Sequence, residues 1–267
     1  MIDLQVLASG SRGNASLLHF SNSHRLAMID AGLSPRRTRH ALAARGLPHT
    51  ALTDVLLTHA DRDHLHAGWA KALPSWSCTF HVHASHVGRM RHAGIDMSRL
   101  AVFEEDVALG EAIQVRTHVV PHDDSGTIAF AIQHQEACLA WATDVGQVTH
   151  DLRTFLAQSA PSVLGIESNY DPHLQKTSGR PHFLIDRITG GSGHLSNEEA
   201  MSTAVWVHEN SPLAQIVLLH RSMECNCPQL MTELWQQSAA HLVDRVMIAS
   251  QDQACERISI MPGRCPI

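Results

Sequence analysis

The stretch His59-Ala60-Asp61-Arg62-Asp63-His64 places four groups able to ligate a metal within six residues. Imidazole and carboxylate suit borderline and hard divalent cations, Zn²⁺, Mn²⁺ and Fe²⁺ among them. The run Asp54-Val55-Leu56-Leu57 stands directly before them and reads as a buried strand. Polar side chains this dense just after a core strand are costly to keep unless something uses them. A pair of divalent ions is the simplest user.

Further candidate ligands stand at comparable places. Asp30 closes Met28-Ile29, and His122 follows the run Val115–Val120. Asp144 follows Leu139–Ala142, and His220 follows Ile216–Leu219. Side chains that project from one edge of neighbouring strands converge. With the first loop, that makes five strand ends carrying His or Asp, and together they describe a site.

The elements that must position these residues can be read from the pattern. Asp3–Ala8, Ala15–Phe20 and Arg25–Ile29 read as short strands separated by Gly, Asn and Ser. Ser34-Pro35 reads as a helix start, with the helix running to about Arg45 and Gly46 closing it. Thr53–Thr58 and Thr79–His83 are expected strands, and Ser85–His92 an expected helix. Ala112–Val119, Thr127–Gln133, Ala137–Ala142, Pro161–Glu167 and Gln215–Leu219 continue the strand series. Helices are expected at Asp151–Gln158, Asn197–Asn210 and Gln229–His241, the second opened by Ser196 with acids in its first turn. Strands cluster in each half, with helices between and after them. The expectation is a layered α/β protein, two sheets packed together with helices outside.

Composition narrows the function classes. The formal net charge is −6, which argues against a protein that coats nucleic acid through a broad basic surface. It leaves room for a phosphate-bearing substrate, because bound metal ions supply positive charge locally. Six cysteines, Cys78, Cys138, Cys225, Cys227, Cys255 and Cys265, form no CxxC pair and read as reduced thiols. Cys225-Asn226-Cys227 is a weak signal for a soft metal or redox pair. No apolar stretch reaches the ~20 residues of a membrane span, and Met1–Gln5 has no signal-peptide character. The expected location is cytoplasmic. The expected organisation is a single domain over residues 1–267.

Taken together, these residues resemble the metallo-β-lactamase fold hydrolases, with their strand-end Asp, HxHxDH loop, later His, bridging Asp and final His. The resemblance covers nearly the whole chain. A finer resemblance is to the YycJ/WalJ-like branch, carried by Ala8-Ser9-Gly10-Ser11-Arg12-Gly13-Asn14-Ala15, Glu167-Ser168-Asn169-Tyr170-Asp171 and Gly193-His194-Leu195-Ser196-Asn197. It implies a four-layer αββα sandwich and a metal-dependent hydrolase cleaving phosphodiester bonds. Within that class it implies a 5′-to-3′ DNA exonuclease, with DNA or a small nucleotide as the partner.

The resemblance also implies a ligand set. One metal position would take His59, Asp61 and His122, and the other Asp63, His64 and His220. Asp144 would bridge, and Asp30 would orient the loop from behind. The cofactors would be two divalent ions, Zn²⁺, Mn²⁺ or Fe²⁺. Asp61 departs from the pattern, where the usual residue is His. A carboxylate is harder and adds negative charge, which favours Mn²⁺ or iron over zinc. Such a pair, ~3.5–4 Å apart, activates water and stabilises the leaving oxygen. Asp63 and His194 are the candidate catalytic residues, with His194 either contacting phosphate, protonating the leaving group or merely capping the helix after it. Asn14 and Asn169 are candidate substrate contacts.

Other readings compete. A phosphodiesterase for small cyclic or nucleotide substrates fits the acidic balance better. A diiron redox protein would explain an acid at Asp61, but 267 residues leave no room for the flavin domain of such proteins. A metal-stabilised domain without catalysis is the fourth reading. Arg36, Arg37 and Arg39 read as a solvated helix face, with a nucleic-acid contact the less favoured reading.

Overall fold

The computed structural model describes residues 1–261, so Cys265 lies outside the described residues. The first sheet is built from β1 (Ile2–Ala8), β2 (Ala15–Phe20), β3 (Leu26–Ile29), β4 (Asp54–Leu56), β5 (Thr79–His83) and β6 (Leu100–Phe103). The second contains β7 (Val107–Leu109), β8 (Ile113–Val120), β9 (Thr127–His134), β10 (Ala137–Ala142), β11 (Val163–Glu167), β12 (Gln215–Leu219) and β13 (Val246–Ile248). A last strand, β14 (Ile258–Ile260), returns to pair with β1. The helices are α1 (Pro35–Ala44), α2 (Trp69–Ala72), α3 (Val87–His92), α4 (His150–Gln158), α5 (Pro172–Thr177), α6 (His182–Thr189), α7 (Asn197–Asn210) and α8 (Pro228–Ser238). Among the described residues no helix is long and apolar enough to cross a membrane.

The two sheets share one plan. The first runs β14-β1-β2-β3-β4-β5-β6 and the second β7-β8-β9-β10-β11-β12-β13. In each, an antiparallel edge strand and a three-stranded meander lead into three parallel strands. This is the two-half symmetry that residue identities leave invisible.

Alternation along the strands makes the layers. On β2, Leu18 and Phe20 face the second sheet, where Phe130, Ile132 and Leu139 meet them. Leu17 points the other way, into a layer with Leu42 of α1, Trp69 of α2 and Met90 of α3. Behind the second sheet, Leu164 and Leu218 pack on Leu152 of α4, Val207 of α7 and Trp235 of α8. Helices therefore cover the outer face of each sheet, as expected for an αββα sandwich. The central parallel strands β4, β11 and most of β12 are buried on both faces, which explains why they are apolar apart from Asp54, Glu167 and Gln215 at their ends.

One buried polar group in this frame lies away from the ligand loop. Asp54 on β4 accepts two hydrogen bonds from Arg25, each at 2.9 Å, and lies 2.8 Å from His81 Nε2 on β5. Burial opposes its charge, but the bonds to His81, Thr53 and Arg25 hold its pKa below the ordinary value. A depressed folded pKa means stability that is present above the unfolded pKa and lost as pH falls through the folded one. Asp54→Asn should therefore cost about 1–3 kcal/mol at pH 7 and flatten the acid limb of the stability curve. Urea unfolding at neutral and acid pH measures both, and equal midpoints for the two proteins at pH 7 would refute the assignment.

Candidate metal centre

Every ligand candidate stands where a strand stops, and three of them stop it abruptly. Asp30, Asp144 and His220 have φ values of 60°, 53° and 50°, a left-handed backbone that Asp and His tolerate better than most residues. The turn ends each strand and swings the side chain to the sheet edge. Conformations of this kind cost free energy and gather at functional sites. His59, Asp61, Asp63, His122, Asp144 and His220 line one cleft of about 280 Å³, together with Ser11, Asp123, Arg187 and His194.

Two groups of donors face each other there. Asp63, His64, Asp144 and His220 each offer a ligand atom within 4.8 Å of the others, and His59, Asp61 and His122 do the same. Asp144 reaches toward both: one oxygen lies 3.0 Å from His64 Nε2, the other 3.9 Å from His122 Nε2.

The imidazoles are held from behind. His64 Nδ1 lies 2.7 Å from Asp30, which also accepts from the Thr58 amide and hydroxyl. His122 Nδ1 donates to the Gly193 carbonyl at 2.8 Å, and His220 Nδ1 sits 3.1 Å from Glu167. His59 Nδ1 lies 3.1 Å from the Thr58 hydroxyl. A proton fixed on one ring nitrogen leaves the other nitrogen's lone pair available to a ligand, the arrangement metal-binding histidines use.

The charge balance shows what fits the cleft. Burial opposes charge on His64, yet Asp144, Asp30 and Asp63 hold its pKa well above normal. Burial likewise opposes His220, and Asp144, Asp63 and Glu167 push it up to about 10. Asp144 is fully buried, and His220 and His64 nonetheless hold it well below the carboxylate range. Protons on imidazole thus balance a cluster of buried carboxylates. Divalent cations replace such protons, and the oxygen and imidazole donor set suits Mn²⁺, Fe²⁺ or Zn²⁺. The residues present fit divalent metal. His86, with its ring 6.4 Å from that of His59, adds no charge: burial, then Arg89, lowers its pKa to about 4.

Three further candidates, His194, Asn14 and Asn169, stand around the ligands. His194 does not cap α7; Ser196 does, in a capping box with Glu199. His194 instead lines the cleft, with Nδ1 2.7 Å from Glu167. Burial resists its protonation, but Glu167 and Asp144 raise its pKa. Asn14 and Asn169 do not line the cleft. Asn14 accepts from Gly10 N at 2.7 Å and donates to Asp63 O at 3.2 Å, behind the ligand loop. Asn169 donates to His220 O at 2.7 Å. Their geometry is that of positioning residues. Asn226 matters more than the cysteines beside it: its amide donates to the carbonyls of Ser168 and Asn169. Cys225 and Cys227 are free thiols, and among the described residues no cysteine joins a metal-binding group.

Glu167, the first residue of the Glu167–Asp171 segment, joins the site although it is not among the ligand or catalytic candidates of the sequence. It ends β11, is fully buried, and contacts both His194 and His220. The rule that singled out Asp30 and Asp144, an acid at the end of a buried strand, applies to it equally.

Gly32 sets the height of the ligand loop. A Cβ there would stand 1.8 Å from the Asp63 carbonyl oxygen, which already accepts from the Asn14 amide at 2.7 Å. Gly32→Ala must push the loop aside, and Mn²⁺ affinity should fall about 10–100-fold, the cost of losing outer support of a metal site. A direct Mn²⁺ titration tests this, and parent-like affinity would show that the loop tolerates the shift.

No family model matches the chain. Curated relatives do match it. An exodeoxyribonuclease YycJ of Bacillus anthracis is 26% identical over 232 residues, 86% of each chain. An exodeoxyribonuclease WalJ of Streptococcus pneumoniae is 27% identical over 231 residues, 84% of this chain and 83% of the relative. Among solved structures, the metallo-β-lactamase fold protein YhfI of Bacillus subtilis superposes with a TM-score of 0.70 at 13% identity, spanning 96% of this chain and all of the other. The sheet pairing agrees with that likeness: this chain has the metallo-β-lactamase fold, with YycJ and WalJ among its sequence relatives.

Proposed function

We propose that this protein is a metal-dependent hydrolase of phosphodiester bonds, acting on DNA from the 5′ end. The observation that carries the reading is the meeting of two donor groups in one cleft with a Glu167–His194 pair beside them. The names of the YycJ and WalJ relatives support the choice of DNA.

His59, Asp61 and His122 would hold one ion, and Asp63, His64 and His220 the other, with Asp144 between. Divalent ions bound there would polarise the phosphoryl oxygens and make water nucleophilic near neutral pH. The remaining work falls to side chains. Asp63, partly open to the cleft, accepts a hydrogen bond from the attacking water and holds it in line. Glu167 fixes a proton on His194 Nδ1 and supports a charged ring, so His194 Nε2 can pass its proton to the leaving oxygen. Asp30 and Asn14 hold the ligand loop, and Asn169 holds the His220 backbone.

The net charge of −6 favours a second substrate class, small cyclic or linear nucleotides that need no basic track. At the cleft mouth, Arg187 is already paired with Asp123 at 2.6 Å. Single-stranded DNA labelled at the 5′ or the 3′ end, run beside cyclic and linear dinucleotides with Mn²⁺, separates the two classes. Release of 5′-labelled mononucleotides first supports the exonuclease. Turnover of dinucleotides alone would replace it with the small-substrate reading.

A further inference from the structure

The two donor groups differ in what already holds their carboxylates. Asp144 contacts imidazoles and the Thr143 hydroxyl, and Asp63 contacts His64 and His220. Neither pairs with a guanidinium. Asp61 does, because the Arg89 guanidinium donates directly to its carboxylate. Arg89 comes from α3, across the ligand loop from the cleft. It lines an open trough with Ala60, Leu65, Ala67 and His92, and Asp61 and Asp63 form the wall that trough shares with the cleft. A guanidinium keeps its charge at every working pH, so the pairing is permanent unless something displaces it.

We propose that Arg89, by holding Asp61, makes the His59–Asp61–His122 position a weaker metal site that fills only after the Asp63–His64–Asp144–His220 position. This rests on the metal reading of the cleft given above. An ion at the weaker position must share the Asp61 carboxylate with Arg89 or drive it off. Sharing sets a divalent charge near a fixed positive one, where the repulsion is appreciable, and displacement costs the Arg89–Asp61 pair. The other position carries the opposite bias. Asp30 and Glu167 stand behind His64 and His220 and make those imidazoles better donors. Equal occupancy of the two positions therefore requires the arginine to move. A substrate phosphate, which a guanidinium binds well, offers Arg89 another partner.

The experiment uses the full chain stripped of metal and titrated with Mn²⁺ alone, followed by calorimetry and electron paramagnetic resonance. The expected result is two steps at least about tenfold apart. At one equivalent the spectrum shows isolated Mn²⁺, and spin-coupled pairs arise only beyond it. Arg89→Met tightens the weak step about tenfold and leaves the tight step within twofold. Asp61→Asn removes the weak step and keeps the tight one. Arg89→Gln carries the same expectation should the methionine variant not fold, as judged by its circular dichroism and melting temperature. Two equal steps in the parent, or an unchanged weak step in a folded Arg89 variant, would overturn the proposal. No binding of Mn²⁺ at all would overturn the metal reading itself, a result distinct from equal binding.

Discussion

Asp144→Asn should lower kcat/KM for phosphodiester hydrolysis by roughly three to four orders of magnitude, the scale seen when one member of an interdependent catalytic set is lost. The amide keeps the shape of the side chain and removes its charge. That charge sits at the centre of the site: Asp144 lies within 4 Å of ring nitrogens of His64, His122, His194 and His220. Without it, the two donor groups lose the carboxylate that reaches both. The side chain is fully buried, so water does not compensate. Steady-state kinetics with excess Mn²⁺, beside a metal count on the same sample, measure the effect. A variant retaining a tenth of the parent activity would show that Asp144 is not central.

His194→Ala should have an effect that depends on the leaving group. General acid catalysis contributes about 10²–10⁴-fold when the departing oxygen needs a proton. A sugar alkoxide needs one, and p-nitrophenolate does not. The variant should therefore lose about 10²–10⁴ in rate on DNA or a dinucleotide, and less than about tenfold on bis-p-nitrophenyl phosphate. Glu167→Gln should reproduce the pattern at smaller amplitude, because it removes the charge that supports a protonated His194. Equal losses on both substrates would place His194 in phosphate binding rather than in proton transfer.

The sequence is most legible where chemistry and burial coincide. The ligand loop and the strand ends at Asp30, His122, Asp144 and His220 follow strongly apolar runs, and the structure brings the loop, His122, Asp144 and His220 together with Asp30 behind His64. The α1 start at Ser34-Pro35 and the α7 start at Ser196 were equally readable, because capping chemistry is local. What stayed hidden is short, exposed or long-range. The β6, β7 and β13 segments are three or four residues long and mostly half-buried, so their alternation is too brief to detect. The β14 strand pairs with β1 across almost the entire chain, and no local pattern announces such a partner. The α6 helix carries Leu184, Ile185 and Ile188 at helical spacing, but it is only eight residues long and buries none of them fully.

The same division applies within the site. Residue type and strand position pointed to the ligands. They did not show that Asn14 and Asn169 stand behind the ligands, because only the folded loops decide which way an amide points. Nor did they show the Arg89–Asp61 pair, whose partners are 28 residues apart and meet across the ligand loop. Asp61 is where this chain departs from the usual ligand pattern, and its partner is visible only in three dimensions.

The central claim is that this cleft hydrolyses phosphodiesters with bound divalent metal. The most direct measurement is release of p-nitrophenol from bis-p-nitrophenyl phosphate by the metal-stripped full chain, with and without added Mn²⁺, beside His59→Ala. The expected result is turnover that appears with Mn²⁺, disappears with chelator and is absent from the variant. Failure on this substrate and on labelled DNA across Mn²⁺, Zn²⁺ and Fe²⁺, or turnover unaffected by chelator, would contradict it.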